Sequence, residues 1–182
     1  MSPDSALLVL AAVLAAGTPL LLAGLGELVA ERAGVLNLGL EGMMLLGAVC
    51  GFAACVETGS LGIGFAAAMG AGVALAALFA ALVLGCLANH VVTGLALTLF
   101  GTGVSALIGL KYTASTIDPL APLIGGADAF ALGTIVLTGA VAVILARTKT
   151  GLILRAVGDD PASAHALGYP VRSLKLGAIL FG

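Results

Sequence analysis

Five apolar runs, each long enough to cross a bilayer, divide the chain: Ala6 to Leu25, Ala33 to Val56, Leu61 to Leu87, Val91 to Leu110 and Phe130 to Ala146. A spanning helix needs about 20 predominantly apolar residues. Backbone polar groups in lipid must be satisfied within the segment, so runs of this length predict helices rather than the roughly ten-residue alternating strands of a membrane barrel. The third run is long enough to imply tilt. A further apolar run starts near Leu174 and reaches Gly182, nine residues that are too few to cross. The expectation is an all-α, polytopic transmembrane helical bundle of five complete spans plus the start of a sixth. It reads as one transmembrane domain over residues 1–182, C-terminally truncated.

Composition agrees. Of 182 residues, 61% are hydrophobic and 9% charged, against roughly 25% charged in soluble domains. The formal net charge of -2 says little about partners, because orientation depends on where Lys and Arg sit. Strict alternation with the segment after Ala146 inside places Arg32, Arg147, Lys149, Arg155, Arg172 and Lys175 in the cytoplasm and only Lys111 outside. The opposite topology reverses that ratio. The N-terminus is then outside, together with the Glu57 to Ser60 turn and the Lys111 to Ala129 loop. That loop holds Asp118, Pro119, Pro122, Gly125, Gly126 and Asp128 and reads as a solvated connection carrying a short interfacial helix. Met1 to Asp4 lacks the positive region of a signal peptide, so Ala6 to Leu25 reads as a retained span. No basic nucleic-acid surface is present.

Helices in lipid associate through close contact of small residues. The chain supplies 27 glycines, with a literal GxxxG at Gly47 and Gly51. Cys50, Cys55 and Cys86 lie in apolar runs without metal-ligand or CxxC spacing and read as packing residues.

Polar residues interrupt this pattern between Gly26 and Gly51. Glu27, Glu31 and Arg32 fall in a break between the first two runs, at the cytoplasmic edge. There Glu31 or Glu27 pairs locally with Arg32, or the three contact a motor subunit. Asn37 and Glu41 lie four residues apart inside the second run, which places both on one helix face. A charge near the bilayer centre costs about 2.5–3.5 kcal/mol on the mildest scale. Either the two residues line a substrate path, or they brace a broken helix end. Asn89 and His90 fall at a tight cytoplasmic turn. Asn89, Thr93 and Thr98 are further pathway candidates, set against the commoner role of membrane hydroxyls as cross-helix hydrogen-bonding groups.

Arg147 to Lys175 is the sizeable polar segment inside. Within it Asp160 suits an N-cap, Pro161 the first helical position, Gly168 a left-handed end, and Pro170 stops continuation. A helix of about two turns is marginal alone in water, so it either rests on its own protein or docks into a cytoplasmic motor subunit. The chain contains no GxxxxGK[ST] pattern and thus no P-loop of its own.

Two separated motifs resemble one family, the permease subunits of ATP-binding-cassette (ABC) importers for simple sugars and nucleosides, related in fold to branched-chain amino acid permeases. The first is Gly26-Glu27 followed by Glu31-Arg32-x-Gly34-Val35-Leu36-Asn37-Leu38-Gly39-x-Glu41-Gly42-Met43-Met44, which most resembles the nucleoside branch. The second is Arg155-Ala156-Val157-Gly158-Asp159-Asp160-Pro161 with Ala164 and Gly168. A weaker third is Asn89-His90-Val91-Val92-Thr93-Gly94-Leu95-Ala96-Leu97, where His90 stands in place of the Gln expected.

The resemblance implies a multi-pass transport subunit of the cytoplasmic (inner) membrane that is no enzyme and uses no cofactor or metal. It would work with ABC ATPase subunits, a second permease subunit in a homo- or heterodimer, and an extracytoplasmic substrate-binding protein. Residues 147–173 would form the coupling loop, with Gly158, Asp159, Asp160, Pro161, Ala164, His165 and Gly168 at the ATPase. Asn37, Glu41, Asn89 and Thr93 would be the substrate-pathway residues. The rival readings are a proton-coupled secondary transporter using Glu41 and a non-transporting membrane scaffold.

Overall fold

The computed structural model describes residues 3–117 and 129–182. Within them the helices are α1 (Pro3–Arg32), α2 (Leu40–Thr58), α3 (Leu61–Ala80), α4 (His90–Gly109), α5 (Ala129–Arg147), α6 (Lys149–Asp159), α7 (Pro161–Ala166) and α8 (Val171–Phe181). A π turn, Ala81–Gly85, prolongs α3, and a 3-10 turn, Leu110–Tyr112, prolongs α4. Five stretches are long and apolar enough to span a membrane: Ala12–Arg32, Leu40–Thr58, Leu61–Gly85, His90–Tyr112 and Phe130–Arg147. The all-α polytopic bundle expected from the apolar runs is the observed architecture. The interfacial helix expected between Lys111 and Ala129 falls largely on residues 118–128, outside the described residues.

The boundary between the first two spans differs from the expectation. Glu27, Glu31 and Arg32 lie in the last turns of α1, not in a break, because Glu, Arg and Ala are good helix formers and the helix continues through them. Gly34 then ends α1 in the left-handed region at φ 75°. Gly34 N–H bonds to the Glu31 carbonyl at 2.9 Å, and Val35 N–H reaches the Ala30 carbonyl at 3.0 Å. That pair of bonds is the Schellman arrangement. Residues 33–39 are therefore a non-helical connector, and α2 begins only at Leu40. Asn37 and Glu41 consequently do not share a helix face: Asn37 lies in the connector, Glu41 in the first turn of α2.

The connector runs through the core. Val35 is fully enclosed in a cluster with Met43 of α2, Leu75, Ala76, Phe79 and Ala80 of α3, Val83 of the π turn, Leu97 of α4 and Ile179 of α8. Around it, α2 packs most extensively on α3 and α4, while α1 lies against α5 and α8.

These contacts are made by small residues. Gly47 and Gly51 both face Ala68 of α3, and a Cβ on Gly64 would come within 2.9 Å of the Cys55 Cβ. Between α2 and α4 the backbones themselves meet: a Cβ on Gly42 would lie 2.6 Å from the Leu97 oxygen, and one on Gly101 would strike the Gly42 carbonyl. Cys55 is thus a packing residue as expected, whereas Cys86 is exposed on the turn after α3.

Two further helices, α6 and α8, flank α7. α6 was not expected within the polar segment. Thr148 caps it, accepting from Gly151 N at 3.3 Å, and its Val157 is fully buried. α8 starts at Val171, ahead of the apolar run read from Leu174.

Backbone contact at Gly101 predicts that Gly101→Ala lowers stability by about 1–3 kcal/mol, the usual range for overpacking. Gly103→Ala, whose added Cβ meets nothing within 4 Å, should not destabilise. Thermal unfolding of the two variants in detergent, compared with the parent protein, checks this.

Candidate functional site

The three motif segments converge on the connector. A Cβ on Gly34 would come within 3.0 Å of the Gly158 Cα, and one on Gly158 would strike the Arg32 carbonyl. Gly94 of the third segment lies so close that a Cβ would be 2.8 Å from Leu38 N and 2.9 Å from Gly39 N. Residues 31–44, 89–97 and 155–161 thus make one structural unit, held by backbone-to-backbone approach at glycines.

Side chains add to the connector's hydrogen bonding. Asn37 N–H donates to Glu27 Oε1 at 2.9 Å, Gly39 N–H donates to Asn37 Oδ1 at 3.0 Å, and Thr98 Oγ1 donates to the Leu38 carbonyl at 2.8 Å. The Asn37 amide also points at Met43 Sδ, 3.6 Å away. Asn37 is buried. Glu27 therefore accepts from a backbone amide ten residues on, in place of the local pairing with Arg32 that was expected. Its other oxygen, Oε2, is enclosed and without a hydrogen-bond partner among the described residues.

The other candidate pathway residues lie apart. Glu41 is on the exposed surface of α2. Asn89 caps α4, its Oδ1 accepting from Val91 N at 3.0 Å and Val92 N at 3.3 Å. Thr93 is buried. Three apolar clefts of about 580, 420 and 560 Å³ flank the bundle, and none of these is lined by Asn37, Glu41, Asn89 or Thr93. The largest runs between α1, α2, α3 and α8 past Pro19, Met43, Met69 and Phe181.

The short helix α7 is capped at both ends. The Asp160 carboxylate accepts from Ala162 N at 3.0 Å and Ser163 N at 3.2 Å, and from the Ser163 hydroxyl. Pro161 takes the first helical position. Gly168, at φ 89°, closes the helix. Its N–H bonds to the His165 carbonyl at 2.9 Å, and Tyr169 N–H bonds to the Ala164 carbonyl at 3.1 Å, the same termination as at Gly34. Among residues 161–170 only Ala164 is buried; the rest of the helix and its turn, His165 included, face outward. The hydrogen bonds from Ser163 hold the Asp160 carboxyl below the ordinary aspartate range.

The opposite end carries a different polar cluster. Lys111 Nζ pairs with Glu57 Oε1 at 2.8 Å, and the Tyr112 hydroxyl donates to the same oxygen, joining the ends of α2 and α4. Sequence reading had assigned no partner to Lys111.

The family described as branched-chain amino acid transport system / permease component matches residues 9–182. The chain belongs to that family. Among this permease's relatives, an ABC transporter permease protein of Haloferax volcanii is 39% identical, over 94% of this chain and 57% of its own length. The guanosine ABC transporter permease protein of Bacillus subtilis is 28% identical, over 96% and 63%. A glucose ABC transporter permease protein of Haloferax volcanii is 30% identical, over 93% and 52%. The permease chain thus spans little more than half the length of these relatives. No solved structure matches it.

Two expectations follow. Asn37→Leu leaves Gly39 N–H without its acceptor and should cost about 1–3 kcal/mol, whereas Glu41→Gln on the exposed face should be close to neutral in the same detergent unfolding assay. For Asp160 the sign is that of a depressed carboxyl. Its cap is fully present above the ordinary aspartate pKa and is lost as pH falls through the lower folded value. Amide-exchange protection of α7 should therefore drop below about pH 4, and Asp160→Asn, still a good cap, should remove that pH dependence.

Proposed function

We propose that the chain is the permease part of an ABC importer that moves nucleosides or simple sugars across the cytoplasmic (inner) membrane, driven by a separate ATPase subunit. The observation that carries this reading is α7. It is a six-residue helix capped at both ends, yet exposed along nearly all its surface. So short a helix gains little from its own hydrogen bonds, and a rigid, exposed element of this kind suits a groove on a partner. Gly158, Asp159, Asp160, Pro161, Ala164, His165 and Gly168 form or flank it. Relatives named as glucose and guanosine ABC permeases support the substrate class.

In the assembled importer the chain would pair with a second permease subunit, rest on ABC ATPases and receive substrate from an extracytoplasmic binding protein. ATP binding would move α7 and, through it, the spans. Asn37, whose side chain and backbone N–H are engaged inside the connector, braces that unit, and Asn89 holds the start of α4. Glu41, exposed at the start of α2, is the pathway candidate among the four, with buried Thr93 between these roles. The proton-coupled alternative is disfavoured, because the relatives are named as ABC permeases.

Purified from its native membrane, the protein should carry an ATPase subunit. Gly168→Pro cannot keep φ 89°, because proline fixes φ near -65°; the variant should lose ATP-driven uptake while the complex still assembles. Full uptake without any ATPase subunit contradicts the proposal. Glu41→Gln should keep assembly and lose uptake; unchanged uptake removes Glu41 from the path. Ligand binding to the partner binding protein chooses between nucleoside and sugar.

A further inference from the structure

Arg172 stands in the first turn of α8, and its Nη2 donates to the Leu84 carbonyl, 2.7 Å away and 88 residues earlier in the chain. Leu84 belongs to the π turn that prolongs α3. The last carbonyls of a helix have no partner of their own within it. Here the returning N–H groups go elsewhere: Cys86 N to the Ala81 and Leu82 carbonyls at 3.2 and 3.1 Å, and Ala88 N to the Leu82 carbonyl at 3.1 Å. The Leu84 oxygen is left for a donor from another element, and the guanidinium supplies it.

Both sides of this bond are distinctive. On the α3 side, Leu87, its side chain exposed, stands at φ 54°, the one non-glycine residue with positive φ among the described residues, a conformation uncommon for a bulky side chain. π turns inside helices are concentrated at functional sites. On the other side, only the turn Leu167 to Pro170 separates α8 from α7. That turn is stiffened by the Gly168 and Tyr169 bonds to α7 and by Val171 N–H to the Tyr169 carbonyl at 2.9 Å. Ile179 of α8 is packed in the same cluster as Phe79 and Val83. A short, hydrogen-bonded path thus runs from α7 through Arg172 to the turn between α3 and α4.

We propose that Arg172 is the positioning residue that passes displacement of α7 to the α3–α4 turn. The inference rests on the reading of α7 as the ATPase-docking helix. It makes the α3–α4 turn a moving part, where the sequence shows only a tight connection. The Glu57–Lys111–Tyr112 cluster joins the other ends of α2 and α4, away from α7.

The chain carries its own probe, because Cys86 is exposed on the turn in question. The assembled, ATPase-bearing complex is reconstituted in lipid vesicles with Cys50→Ala and Cys55→Ala, and thiol labelling of Cys86 is followed with and without a non-hydrolysable ATP analogue. The expected result is a nucleotide-dependent change of about tenfold in labelling rate, which Arg172→Met reduces to less than about twofold with the complex intact. Arg172→Lys, which keeps a cationic donor, should restore most of the response, and Lys111→Met should leave it unchanged. Should Arg172→Met not assemble, Arg172→Gln takes its place with the same expected loss. An equal nucleotide response in the parent protein and the Arg172 variant overturns the proposal, as does no response in an intact parent complex or an equal loss in Lys111→Met. A preparation that carries no ATPase at all overturns the docking reading of α7 instead.

Discussion

Lipid offers no hydrogen bonds, so every backbone group that leaves a helix at membrane depth must find a partner in the protein. The connector of residues 33–39, which joins the first two spans and has Val35 and Asn37 enclosed by the protein, faces the same demand. The Gly34 and Val35 amides go to the Glu31 and Ala30 carbonyls, the Asn37 amide to Glu27 and the Gly39 amide to the Asn37 side chain, while Thr98 donates to the Leu38 carbonyl. With Val35 seated in the core, the connector is a fixed plug, and it sets where α1 stands relative to α2 and α4. Asn37, which looked expensive in an apolar run, is together with Glu27 and Thr98 one of the groups that hold this non-helical segment.

Glycine is the second half of the same device. Gly34 against Gly158, Gly94 against Leu38 and Gly39, and Gly42 against Gly101 place backbone directly on backbone, the close approach that membrane helices use when apolar burial brings no reward. These three contacts fix the connector, α4 and the end of α6 against one another with no side chain between them. The capped α7 is joined to this unit through α6, whose Gly158 touches the connector, and through α8. The same left-handed glycine termination ends buried α1 at Gly34 and exposed α7 at Gly168.

The five spans were readable from apolar run length, and α7 from its Asp-Pro start and Gly-x-Pro end, because each of those signals is local. The connector was not. Val35, Leu36 and Leu38 continue the apolar run, and the bonds that stabilise a non-helical path there come from Glu27, ten residues away, and Thr98, sixty residues away. Glu27 read as an edge charge for the same reason. Thr98 read either as a pathway residue or as a hydroxyl bonding across to another element; it donates to the Leu38 carbonyl of the connector. α6 was missed because its apolar face is short and set among charges, and Arg172 because its acceptor is a backbone carbonyl that leaves no mark in the sequence.

The central claim is that α7 meets a motor subunit on the cytoplasmic side. A photo-reactive residue placed at His165, exposed on α7, tests it most directly when irradiated in native membranes. The account predicts a covalent adduct with the ATPase subunit, and none from the same residue placed at exposed Thr58 on the opposite end. An intact complex whose His165 probe labels only lipid or an extracytoplasmic protein would contradict it.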